Sequence, residues 1–279
     1  MSRKSVLNRL LPSPLMKTSA VLHVGAAASL AVAGAWPWAL GVVAADHLLL
    51  AACGLTPRNA WLGPNWTRLP PAAAAGRVAI TIDDGPEPSV TPQVLARLDE
   101  HGAKATFFCI GERVARYPDL VREIVRRGHA IENHSQRHPH HFSLLGPGRL
   151  AREIIEAQET IGEVSGSAPI FFRAPAGLRS PLLEPILMRL GLHLASWTRR
   201  GFDTVRRDAD SIAAKLSRGL QAGDILLLHD GRAARTAAGS PVILEVLPRL
   251  LEACAAAALT AVTLRSAVLP RQPLQTEAK

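Results

Sequence analysis

The chain has 279 residues, 48% of them hydrophobic and 20% charged, with a formal net charge of +9, enough for one sizeable domain plus an extra segment. Aromatics make up 4% and no basic run interleaves with them, which excludes nucleic-acid binding. Three widely spaced cysteines, Cys53, Cys109 and Cys254, form neither a metal motif nor a disulfide framework.

The charge excess is uneven. Residues 1–75 hold Arg3, Lys4, Arg9, Lys17, Arg58 and Arg68 against Asp46 alone. A basic bias flanking an apolar segment points to anionic lipid. Residues 1–19 read as a basic leader. From Ala20 to Ala45 no charged residue occurs, although His23 is present, and Asp46-His47 interrupts before Leu48–Leu55 resumes. Three readings of this segment compete. A single span over 20–45 meets the length a bilayer needs. Two short arms, 20–35 and 39–55, would turn at Trp36-Pro37-Trp38 with tryptophans at the interface. A cleaved signal peptide would use Ala33-Gly34-Ala35, but its leader is long for that. Residues 20–55 are therefore read as a membrane segment, one span or a hairpin. Residues 56–76, rich in Pro, Asn, Gly and Ala, read as a linker.

From Arg77 to about residue 269 the pattern alternates strand and helix, with a polar tail at 270–279. Strands are expected at 77–82, 104–109, 129–132, 169–172, 192–196, 224–228 and 259–264. Helices are expected between them at 91–101, 118–127, 148–164, 181–190, 208–221 and 241–257. The 148–164 helix is amphipathic, with Leu150, Ile154, Ile155 and Ile161 facing in and Arg152, Glu153, Glu156 and Glu159 facing out. Gly102, Gly128, Gly191 and Gly223 each follow a helix, where a left-handed cap is wanted. Regular alternation implies a parallel sheet, and seven units imply a closed or nearly closed barrel.

Chemistry gathers at the strand ends. Val78–Ile82 runs into Asp83-Asp84-Gly85-Pro86, two adjacent carboxylates whose repulsion a metal or a cationic partner would relieve; a plain surface turn is the alternative. Strand 129–132 runs into Glu132-Asn133-His134-Ser135-Gln136-Arg137-His138. A helical turn there would put His134 and His138 on one face. With Asp84 they supply a set of zinc-type ligands, although a His-rich polar loop fits the same residues. Arg173, in Phe172-Arg173-Ala174-Pro175-Ala176-Gly177, would sit at the same rim and could pair with a carboxylate. Strand 192–196 ends in Trp197, with Asp203 six residues on, and strand 224–228 ends in His229-Asp230. All these residues fall at C-terminal strand ends, the rim on which βα-barrel active sites are built.

The ordered run TIDDGP, HSQRH, RAPAG, W-x5-D and LLLHD resembles the motif signature of the polysaccharide deacetylase family, carbohydrate esterase family four, over about residues 77–265. The resemblance implies an α/β fold, a distorted (β/α)7 barrel, and hydrolysis of an N-acetyl group on an amino sugar. It also implies a divalent metal, zinc first, with Co2+, Ni2+ or Mn2+ as alternatives. Carried over by position, Asp83 is the general base, and Asp84, His134 and His138 bind the metal. Arg173 orients Asp83, and His229 is the general acid with Asp203 as its partner. Trp197, Leu227, Ala176 and Pro175 line the acyl pocket, with the Ala176 N–H facing the oxyanion. Two departures stand out: Ala176 replaces the family's usual aromatic, and the fourth motif's Asp-Trp pair becomes Asp203-Thr204. The expected setting is the bacterial inner membrane, with an N-acetylated glycan or glycolipid as substrate and no nucleic-acid or obligate protein partner. Rival readings are a deacylase or deformylase of a lipid-linked amino sugar, and an inactive glycan-binding module on the same barrel.

Overall fold

The computed structural model describes residues 13–32 and 34–268. The leader up to residue 12, Ala33 of the candidate cleavage site and the 270–279 tail lie outside the described residues. The strands are β1 (Arg77–Asp83), β2 (Ala105–Cys109), β3 (Ala130–Asn133), β4 (Phe171–Phe172), β5 (His193–Leu194), β6 (Arg199–Arg200), β7 (Ile225–His229) and β8 (Thr260–Val262). Their order is β5-β4-β3-β2-β1-β7-β6, with β8 pairing β1. The β1–β7, β1–β8, β3–β4, β4–β5 and β6–β7 pairs are all parallel. This is an α/β fold with its parallel strands in a distorted, incompletely closed barrel. β1 is buried from Val78 to Asp83 and β7 throughout, as strands covered on both faces must be, so both read as continuous apolar runs rather than alternating ones.

Contacts group the described residues into two compact units, one of residues 68–107, 119–131 and 198–268, the other of residues 13–32, 34–67, 108–118 and 132–197. In the first, β1 and β7 form the core, flanked by the helices Thr91–Glu100, Ala209–Ser217 and Ile243–Ala256. Asp208 caps the second of these through the N–H groups of Asp210 and Ser211. Asp224, just before β7, is fully buried and pairs with Arg68 at 2.7 Å and Arg199 at 2.5 Å. Leu69 N–H donates to Gly223 C=O at 2.8 Å. Residues 68–69 are thereby tied to the start of β7.

In the second unit the helix Pro147–Ser165 buries Leu150, Ile154, Ala157 and Ile161 as expected, but Glu153 is buried too and Ile155 is 38% exposed. The spacing explains both exceptions: 153, 157 and 161 share one face at four-residue intervals, and 155 lies off it. Glu153 is held by Arg137, whose backbone N–H and guanidinium both donate to its carboxylate, at 2.9 and 3.0 Å.

The N-terminal segment forms two helices, Pro14–Ser29 and Trp36–Gly54, so there is no continuous helix over 20–45. Trp36-Pro37-Trp38 opens the second helix instead of making the turn, because proline suits a first helical turn. Trp36–Gly54 is the one helix among the described residues long and apolar enough to cross a membrane, with mean hydropathy 1.4; at 1.5 Å per residue it is about 28 Å long. Residues after it stay packed. Leu62 joins Leu50 and Cys53 in a buried cluster, Arg179 N–H donates to Gly54 C=O at 3.0 Å, and Trp66 N–H donates to Leu194 C=O at 2.9 Å.

Replacing Asp224 by Ala should leave two guanidiniums without their shared carboxylate. Both reach solvent, so a loss of about 3 kcal/mol, the low end for a broken buried pair, is expected in urea unfolding. An unchanged midpoint would show that the pairs contribute nothing.

Candidate active site

β1 and β7 run in a register that sets Asp83 opposite His229 at their C-terminal ends. Asp83, Asp84, His229 and Asp230 are all buried. Asp84 adopts a left-handed backbone, φ 72°. The loop after it is tied back through Thr91, whose hydroxyl donates to the Asp230 carboxylate at 2.5 Å and accepts the Glu87 N–H at 2.7 Å. A side chain at Gly231 would overlap the Asp84 carbonyl, and one at Gly85 would strike the Asp230 carboxylate. Both glycines are demanded by close approach.

His229 donates its Nδ1–H to Asp203 Oδ1 at 2.9 Å, and its backbone N–H donates to Asp203 Oδ2 at 2.7 Å. Asp203 is fully buried. Burial pulls the imidazole pKa down, but the charge and hydrogen bond of Asp203, then the charges of Asp83 and Asp84, hold it above its ordinary value. The bond also fixes the tautomer that leaves Nε2 as the other working nitrogen.

At the end of β3, Glu132 Oε2 accepts the N–H groups of Ile170 and Phe171 at 2.7 and 2.8 Å, anchoring the approach to β4. Asn133 donates to Ile154 C=O and Gln158 Oε1, each at 3.0 Å. Its Oδ1 accepts the Ser135 N–H at 2.9 Å, and Ser135 Oγ accepts the His138 N–H at 3.0 Å. Ser135 and His138 have φ of 65° and 52°, so the segment is a hydrogen-bonded loop and not the helical turn expected from the four-residue spacing. The loop still brings the two imidazoles together, with ring centroids 4.8 Å apart. His134 donates its Nδ1–H to Arg173 C=O at 2.9 Å, which reserves Nε2 as its lone-pair nitrogen.

Arg173 is 1% exposed. Its guanidinium donates to Ala195 C=O at 3.2 Å and Ser196 C=O at 2.7 Å, and lies over the Phe108 ring at 4.1 Å. Pro175–Gly177 is a single 3₁₀ turn with Ala176 exposed and at φ 55°. Trp197 is buried, and a Cβ on Gly177 would come within 2.6 Å of it. Leu227 is buried within β7.

One ligand atom from each of Asp84, His134 and His138 lies within 4.8 Å of the other two, and all three residues are buried. Two imidazoles and a carboxylate suit a divalent ion of the zinc type, and the hydrogen bond on His134 Nδ1 orients that ring as a ligand. Sequence reasoning gave no role to Glu132, Asn133, Ser135, Thr91 or Asp230. Of these, Ser135 and Asp230 carried a signal, as members of the HSQRH and LLLHD motifs; the others act through loop geometry that no spacing announces.

A family model for polysaccharide deacetylase matches residues 72–195. A peptidoglycan-N-acetylglucosamine deacetylase of Bacillus cereus is 35% identical over 175 residues, covering 62% of this chain and 81% of the relative. A chitooligosaccharide deacetylase of a Bradyrhizobium species is 36% identical over 155 residues, covering 55% and 70% respectively. Among solved structures, a family 4 carbohydrate esterase from Streptomyces lividans in complex with acetate superposes with a TM-score of 0.61 at 33% identity, covering 68% of this chain and 93% of that one.

In metal-stripped protein, Asp203→Asn should lower the His229 pKa, read from its imidazole resonances; an unmoved titration would mean that Asp203 does not hold it up. The sign for stability follows. A folded-state pKa above the ordinary imidazole value of 6.5 contributes stability that is complete below about 6.5 and is lost as pH rises through the folded pKa. The stability gap between wild type and variant should therefore shrink on the alkaline side.

Proposed function

Since this chain belongs to the polysaccharide deacetylase family, hydrolases of carbon–nitrogen bonds other than peptide bonds, we propose that it removes the N-acetyl group from N-acetylglucosamine units of a glycan. The observation that carries this reading is the register of Asp83 opposite His229 with Asp203 behind the imidazole. It supports a base and an acid acting from neighbouring strand ends, as amide hydrolysis requires. Asp83 takes the proton of the attacking water. His229, whose pKa Asp203 holds up, gives a proton to the departing amine, which is otherwise a very poor leaving group. Asp84, His134 and His138 would hold the divalent cation, zinc first, with Co2+, Ni2+ or Mn2+ as alternatives. When bound, that ion supplies Lewis-acid polarisation of the amide carbonyl. The backbone N–H of Ala176 donates to the developing oxyanion, Arg173 positions Asp83, and Trp197, Leu227 and Pro175 line the acetyl pocket.

The relatives are named for peptidoglycan and chitooligosaccharide, and these are the substrates we assign first. The helix Trp36–Gly54 and the basic leader support a membrane-anchored enzyme at the bacterial inner membrane, acting on glycan within reach of the bilayer. With Ala176 there is no stacking side chain at that rim position. This favours, as second reading, deacylation or deformylation of a lipid-linked amino sugar. An inactive glycan-binding module has no use for base, acid and ligands retained together.

Release of acetate from chitooligosaccharide or peptidoglycan by the full chain, abolished by chelator, tests the reading; formate or a longer acid from a glycolipid would move it to the second. The adjacent carboxylates should also fail differently. Asp83→Asn should keep bound metal while turnover falls about 10²–10⁴-fold. Asp84→Asn should weaken metal retention first, with activity partly restored by excess metal. The reverse pattern would exchange the two roles.

A further inference from the structure

A second cluster of ligand-type side chains lies in the N-terminal helix pair. His23 of Pro14–Ser29 and Asp46 and His47 of Trp36–Gly54 place one ligand atom each within 4.8 Å of the others. Asp46 is the only acidic residue before residue 83, and it is 4% exposed. A carboxylate buried in an apolar helix pair is costly without compensation. Ser19 Oγ–H donates to its Oδ2 at 2.6 Å, one hydroxyl bond against a full charge. His23 Nδ1 stands 3.8 Å away, beyond hydrogen-bond reach.

The tautomer of His23 is fixed by its neighbour. Its Nδ1 lies 2.8 Å from Ser19 C=O, which accepts only, so Nδ1 carries the hydrogen and Nε2 of the neutral ring presents a lone pair. That lone pair points at His47 Nε2, 3.1 Å away. Two imidazole nitrogens on one tetrahedral ion, each bonded at about 2.05 Å, stand roughly 3.3 Å apart, close to the spacing found. A backbone carbonyl on the far nitrogen is the usual support for a histidine ligand. A side-chain carboxylate adjacent in sequence to one of the rings completes a two-nitrogen, one-oxygen set suited to Zn2+, Co2+, Ni2+ or Cu2+.

We propose that His23, His47 and Asp46 form a second transition-metal site, which joins the two N-terminal helices and is separate in its ligands from the Asp84, His134, His138 set. A bound divalent ion neutralises the buried carboxylate and clasps one helix to the other, so metal is expected to stiffen this pair.

The test uses untagged full-length protein in detergent, carrying His134→Ala and His138→Ala so that the other set is disabled. Co2+ titration followed by visible absorption and equilibrium dialysis should still find one equivalent. Adding His47→Ala, at an exposed position, should abolish it without loss of helical circular dichroism, and Asp46→Asn should weaken it at least tenfold. Amide exchange in 14–54 should slow with Co2+ in the His134/His138 background and not after His47→Ala. A folded His134/His138 variant that binds no Co2+ would overturn the proposal, leaving the cluster a hydrogen-bonded clasp. An equivalent that survives His47→Ala would overturn it too, by placing the ion elsewhere.

Discussion

Buried negative charge is the constraint that shapes this protein. Asp83, Asp84, Asp203 and Asp230 are each 4% exposed or less, on or beside the ends of β1 and β7. Each would shed its charge or unfold its surroundings unless something positive or hydrogen-bonding met it. Distinct solutions are visible. Asp230 is met by a threonine hydroxyl, Asp203 by an imidazole and a backbone N–H, and Asp84 by its place among two histidines. The charge that would be a defect in a storage or scaffold protein is here divided among groups that can move a proton or hold an ion. His229 inherits its raised pKa from this crowding.

Such crowding has to be held by backbone, and the backbone is distorted where it holds it. Asp84, Ser135, His138 and Ala176 take left-handed conformations, which cost non-glycine residues of order 1–3 kcal/mol each and persist only where the surroundings over-determine them. The surroundings here are specific: Gly231 packed on the Asp84 carbonyl, the Asn133–Ser135–His138 relay, and the 3₁₀ turn after Arg173. Rigid parallel strands deliver the chain to the rim, and short strained loops aim the side chains.

How much of this was legible in the sequence differs by element. β1 and β7 were, because strands buried on both faces are uninterrupted apolar runs. The left-handed glycines after helices were legible at Gly102, Gly128 and Gly191, which have positive φ; Gly223 has it too, but in the turn before β7, because its helix ends at Ser217. The grouping of Asp84, His134 and His138 was legible as a set of ligands, but for a mistaken geometric reason. The four-residue spacing suggested a helix, whereas side-chain caps from Asn133 and Ser135 fold a loop. The two-residue strand β6 and the short helix Gly111–Arg116 carry too few residues for any periodicity to show. The turn between the N-terminal helices was misplaced because proline marks both turns and first helical turns, and only the structure tells which.

The N-terminal segment is also packed, within its own unit, on the turn around Gly177. Ser196 donates its hydroxyl to Pro57 C=O at 2.7 Å, and Arg179 donates to Asn59 C=O at 2.6 Å. A Cβ at Gly177 would meet Pro57 as well as Trp197. The residues just after the apolar helix are thus packed on the turn that carries Ala176 and on the strand exit that carries Trp197. Part of the outer support of this turn comes from the segment that leads out of the helix pair. The apolar helix and the turn around Gly177 are therefore linked through packed residues.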